Sequence, residues 1–218
     1  MQGETTDIFK RTIDIVMSVL LLFLTAFQVT GESAHEWLGI SMTVLLIIHN
    51  ILNRKWYKAI FKGKYSPYRT AVTAVNISLL VSIALTAVSG MAMSNNAVPF
   101  MYGIINVMTA RKLHLAMAYW SFILMGIHIG MHVKAMTAKM NGAPKLIFGI
   151  ILAAVSAAGL WFFVKSGIVN YIFFRTHFAF LDYETAKPFV ILQNLAMLLF
   201  WVQVGLIIAA VTQRKSKI

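Results

Sequence analysis

The sequence predicts an all-α integral membrane protein of six transmembrane helices in a single domain over residues 1–218. Three observations carry that prediction. Of its 218 residues 59% are apolar and only 12% charged, about half the charged share of an ordinary soluble domain. Six apolar stretches approach or exceed the roughly 20 residues that a bilayer-spanning helix needs. The basic residues are strongly segregated among the connections between those stretches.

The helices are expected at 12–30, 35–53, 70–93, 112–134, 145–167 and 186–212. The connection between the second and third holds Arg54, Lys55, Lys58, Lys62, Lys64 and Arg69. Lys10 and Arg11, Lys134, Lys139 and Lys145, and Arg214, Lys215 and Lys217 fall on the same side, so that 14 of the 19 basic residues lie there. Basic loops stay in the cytoplasm, which places both termini inside and predicts a multi-pass protein of a cell membrane, such as a bacterial inner membrane. The first stretch is too long for a cleavable signal and lacks a small-residue cleavage site.

On the outer side, Gly31 to Ala34 reads as a tight turn, whereas 94–110 and 167–184 are longer and aromatic. The run from Asn170 to Phe178 suits an aromatic belt at the interface better than a lid. Core packing is expected over 30–167, with the last helix peripheral. The net charge of +12 reflects orienting loop lysines and not a nucleic-acid partner. With no cysteine there is no disulfide, iron–sulfur cluster or thioether-linked haem. No glycine-rich nucleotide loop follows a strand pattern. The 13 methionines are scattered, as packing residues are, and form no copper-binding cluster.

The chemistry lies in the histidines. His35 and His49 stand fourteen residues apart on the second helix, and His114 and His128 stand fourteen apart on the fourth. Fourteen residues turn through about 1400°, close to four full turns, and rise about 21 Å. Each pair therefore shares a face at two depths. One helix separates the second from the fourth, so the two run parallel. His35 comes level with His114 toward the outside and His49 with His128 toward the cytoplasm. Ionisable side chains at such depth are costly and usually functional. One transmembrane histidine is commonly interhelical glue, but chance does not readily produce two matched pairs. Neutral imidazole is an axial ligand for haem iron, one from each side of the macrocycle. The spacing thus predicts two bis-histidine b-type haems in a central bundle of helices two to five. Gly39, Gly126 and Gly130 would let porphyrin approach backbone, and Arg111, Lys112 and Arg54 are candidates to neutralise propionates.

His132, one turn beyond His128, is a candidate propionate partner, proton acceptor or substitute ligand. His177 reads as a surface histidine. Glu36 is expected to pair with Arg111 or Lys112, and Asp14 to reach the cytoplasmic headgroups. Asn76, Gln193, Asn194 and Gln203 read as glue between helices.

The run His35-Glu-Trp-Leu-Gly to His49-Asn-Ile-Leu-Asn-Arg-Lys-Trp56, with Ser89-Gly90 and His114 through His128-Ile-Gly-Met-His132, resembles a bacterial membrane family long carried as a domain of unknown function. That family is related to transmembrane b-type cytochromes and is associated with extracytosolic flavin-transfer systems. The paired spacings are also similar to those of ferric reductase-like transmembrane domains, whose FAD and NADPH module this chain lacks. The resemblance covers residues 30–135 and implies haem b ligation by His35, His49, His114 and His128, with electron delivery to an extracytoplasmic, often flavinylated, partner. Asn53 stands where some relatives carry a further histidine.

The expected function is electron transfer across the membrane, from a quinol or a cytoplasmic reductase to an extracytoplasmic flavoprotein or other acceptor. Whether the chain is itself a catalyst is left open by the sequence. The alternatives are a quinol-dependent reductase of small external oxidants such as ferric chelates, and a divalent-metal transporter using His49, His128 and His132. The scarcity of acidic residues, seven in all, weighs against transport.

Overall fold

A computed structural model describes residues 2–137, 141–176 and 178–215, and no strand occurs among them. Eight α-helices follow one another: α1 (Gln2–Thr25), α2 (Phe27–Leu52), α3 (Arg54–Ile60), α4 (Pro67–Met91), α5 (Val107–Thr137), α6 (Gly142–Lys165), α7 (Ile168–Ile172) and α8 (Lys187–Lys215). Five of them, α2, α4, α5, α6 and α8, are long and apolar enough to cross a membrane. The first helix, expected to be a sixth span, is not among them. Lys10, Arg11 and Asp14 fall inside every span-length stretch of α1, and each charge at depth is expensive.

The helices hold their polar groups internally, as an apolar surrounding demands. Thr12, Ser18, Ser41, Thr43, Thr86 and Ser89 each donate a hydroxyl to the carbonyl four residues back. Outward positions carry large apolar side chains such as Ile15, Val44, Ile47, Ile150 and Trp161.

The chain turns sharply between α1 and α2. The sequence suggests one turn at 31–34. The structure instead breaks at Ala26, makes one helical turn, and breaks again at Gly31 with φ 73° and ψ 173°, a backbone state essentially confined to glycine. The sequence also misses α3, which lies in the basic connection. Arg69 caps it, its guanidinium donating to the Ala59, Lys62 and Lys64 carbonyls. Ser66 then starts α4, accepting the Arg69 N–H at 3.2 Å with Pro67 in the first turn, as helix caps require.

Four spans form a close-packed row in the order α4, α5, α8, α6, and α1 and α2 lie together beside it. The last helix is therefore central, where the sequence places it at the periphery. Glycine is the reason. A Cβ on Gly130 would lie 2.0 Å from the Val202 carbonyl oxygen, one on Gly205 2.2 Å from that of Ile127, and one on Gly159 2.1 Å from that of Ala196. Backbones approach this closely only where side chains are absent. Gly126 also faces α8, against Trp201. Gly126 and Gly130 thus serve helix packing and do not open space toward α2.

α7, at the start of the 167–184 connection, packs against α5. Tyr171 of α7 stacks on Tyr119 with centroids 5.2 Å apart, and the Trp120 indole N–H donates to the Ile172 carbonyl at 3.2 Å. Ile168, Tyr171 and Ile172 are buried, so this segment is anchored to α5.

Candidate functional site

The structure brings the predicted histidines together at two levels. At the end of the bundle bearing the 92–106 loop, His35 of α2 faces His114 of α5 with ring centroids 6.0 Å apart and planes at 74°. Toward the α3 end, His49 lies near His128 and His132. The His128 and His132 rings are in contact, with centroids 4.6 Å apart. Both helices pass from the first level to the second in the same sense, so α2 and α5 run parallel.

The α5 histidines are held from behind by α4. His114 Nδ1 lies 2.9 Å from the Thr86 carbonyl oxygen. A carbonyl can only accept, so Nδ1 carries the proton and Nε2 presents a bare lone pair. His128 Nδ1 lies 2.8 Å from Asn76 Oδ1, with the same result. On α2, His49 Nδ1 lies 2.8 Å from Asp14 Oδ1, and Asn53 Nδ2 approaches His49 Nε2 at 3.4 Å. Asp14 thus meets a histidine, where the sequence suggests that it reaches the headgroups. His35 Nδ1 is buried and, unlike the other three, is not seated on an oxygen acceptor.

Gly90 makes room for His114. A Cβ there would sit 3.0 Å from Cε1 and 3.2 Å from Nδ1 of the ring. Gly39, one turn along α2 from His35, has open space around it.

The donor set fits a flat metal macrocycle on three counts. An imidazole nitrogen binds a first-row metal ion at about 2.0–2.1 Å, which puts two imidazoles on opposite sides of one ion with centroids roughly 6 Å apart. The separation at His35 and His114 matches that value. Three of the four rings donate Nδ1–H to oxygen, the orientation usual for metal-bound histidine. Finally, α2 and α5 do not pack closely, and Met42 is the one buried residue of α2 among those described. The α2 face toward α5 therefore lacks the tight packing of interiors. Among the described residues no group of three or more His, Asp or Glu side chains is placed to hold a metal ion.

The basic candidates do not touch the histidines. Arg111 is exposed with its guanidinium 5.5 Å from the Phe178 ring centre. Lys112 is half-buried two residues before His114, and Arg54 is exposed at the first position of α3. Glu36 meets neither Arg111 nor Lys112. Its carboxylate accepts from the backbone N–H groups of Asn95, Asn96 and Ala97, from the Asn96 amide and from the Ser94 hydroxyl, at 2.8–3.2 Å. Those bonds tie the loop after α4 to α2 beside His35. Backbone donors satisfy a carboxylate without a cation. His177 lies outside the described residues.

Sequence reasoning passed over Thr86 and the roles of Gly90, Asn76 and Asp14. Asn76 and Asp14 left a signal, being polar in apolar helices. Thr86 acts through its carbonyl, which no side-chain pattern reveals.

Asn76→Leu tests the inner support. The His128 Nδ1–H would lose its acceptor, which costs about 1–3 kcal/mol when buried and frees the ring to turn. Metal-group affinity at that level should fall roughly tenfold to a hundredfold, read by titrating haemin into the variant. Wild-type affinity would contradict the assignment of Asn76.

No protein-family model matches the chain, and no curated protein or solved structure is significantly similar to it.

Proposed function

We propose that this protein carries electrons across a membrane through two b-type haems, one held by His35 and His114 and the other by His49 and His128. The facing of His35 and His114 at 6.0 Å, across helices that do not otherwise pack together, is the observation that most supports it. Haem b, when bound, supplies a one-electron iron couple.

The chain's own residues do the rest. The Thr86 carbonyl and Asn76 fix the tautomer and direction of His114 and His128. The Asp14 carboxylate accepts from His49 Nδ1 and orients that ring, and its negative charge would favour the oxidised iron of a bound haem. The apolar spans α2 and α5 carry both levels. Glu36 closes the loop over the His35 end. In this reading α1 is the sixth span, the α3 end faces the cytoplasm with both termini, and the bundle of helices around the haems lies in a bacterial cell membrane. Electrons enter at the α3 end from a quinol or a reductase. They leave near His35 to an extracytoplasmic acceptor such as a flavin-bearing protein, as the family resemblance implies. Arg111 and Lys112 would flank the outer haem and Arg54 the inner one.

Vesicles test the reading. With the protein in the bilayer, a membrane-impermeant reductant trapped inside and ferricyanide outside, ferricyanide should be consumed. The His35→Ala variant should leave it at the rate of protein-free vesicles. Equal rates for wild type and protein-free vesicles would overturn the proposal.

A further inference from the structure

A pocket of about 220 Å³ opens beside the inner histidines, walled by Trp56 and Ile60 of α3, Tyr68 and Val72 of α4, and Thr73 and His132. Its lining is largely apolar, which suits a ligand drawn from the bilayer. Its cation is already engaged, because the Arg69 guanidinium is bound by three carbonyls and lies 4.3 Å from the Tyr65 ring centre. The pocket is thus poorly suited to a phosphate. The Tyr68 hydroxyl is also engaged, donating to the Met131 carbonyl at 3.2 Å. Two neutral polar groups remain. His132 is exposed, lines the pocket and has its ring against that of His128. Thr73, unlike Thr43, Thr70 and Thr86, does not spend its hydroxyl on the carbonyl four residues back.

An apolar slot with an indole wall and two free hydrogen-bonding groups matches a flat ring that carries carbonyl or hydroxyl oxygens. We propose that this pocket binds the ring of a membrane quinone or its quinol, with His132 and Thr73 hydrogen-bonding the ring oxygens and Trp56 covering its face. The site lies against His132, whose ring touches His128, so a bound ring sits next to the inner level. The inference deepens the proposed function by assigning its electron donor to the quinol class, and it rests on that reading for the donor's role. The binding itself rests on the pocket.

Full-length protein in lipid nanodiscs, labelled with a photoreactive azido-naphthoquinone and mapped by mass spectrometry, tests it. Label should appear on the 56–73 and 132 peptides and be displaced by 2-methyl-1,4-naphthoquinone. Thr73→Val and His132→Phe should each weaken displacement roughly three- to tenfold, the worth of one hydrogen bond. Val72→Trp, which fills the slot, should abolish labelling. Label confined to other residues, or not displaced, would overturn the proposal. So would displacement by raising the anionic phospholipid content, which would make this a lipid-headgroup site. Haem is counted on the same samples. Full haem without displaceable label overturns the pocket alone, whereas displaceable label on protein that cannot take up haem overturns the electron-transfer reading alone.

Discussion

His114→Ala should leave one haem per chain where the intact protein holds two. His114 is the ring most completely set in place at its level, with Thr86 behind it, Gly90 beside it and His35 opposite. Alanine removes one axial ligand and leaves His35 alone on a loosely packed helix. His49 and His128 belong to a separate level, with their own partners Asp14 and Asn76, so the inner haem should stay. Sites this far apart and without shared partners act independently. Haem per chain, read by pyridine haemochrome against protein concentration, should therefore fall by half. Retention of both haems would remove His114 from the ligand set, and loss of both would show that the two levels are not independent.

Gly130→Ala should be the most damaging single methyl in the protein. Its Cβ would lie 2.0 Å from the Val202 carbonyl oxygen, 2.9 Å from the carbonyl carbon and 3.0 Å from Gly205 Cα. All three are backbone atoms, so no side chain can swing away and α8 must move off α5. Overpacking of a tight core costs about 1–3 kcal/mol, and with backbone on both sides the loss should reach about 3 kcal/mol or more. Gly149→Ala is the control. Nothing lies within 4 Å of its Cβ, and alanine gains helix propensity of up to about 1 kcal/mol over glycine. Thermal unfolding in detergent should separate the two variants widely. Similar melting curves would contradict the close α5–α8 contact.

The histidine pairs were legible in the sequence because a helix converts spacing into facing. Fourteen residues bring a side chain back to one face, and two such intervals on parallel helices suffice to align His35 with His114. The helical class was legible for the same reason, since apolar length alone marks a span. The order of packing was not. Gly126 and Gly130 read equally well as room for a macrocycle or for a neighbouring helix, and only the position of α8 against them decides. Glu36 misled because cations were expected at its level. Arg111 and Lys112 offered cations, but the backbone N–H groups of Asn95, Asn96 and Ala97 satisfy the carboxylate first. Loop amides carry no residue code, so such a cradle is invisible before the fold is known. Asp14 misled in the opposite way. A charge near a helix end reads as a headgroup contact, whereas the pairing of α1 with α2 turns it onto His49.

Two pairs of histidines holding two haems should give the protein a colour. The most direct test is the absorption spectrum of the purified, detergent-solubilised protein, oxidised and then dithionite-reduced, with a pyridine haemochrome count. The bands of low-spin b-type haem and two haems per chain are expected. A colourless protein, expressed with haem in supply, would contradict haem ligation by these pairs.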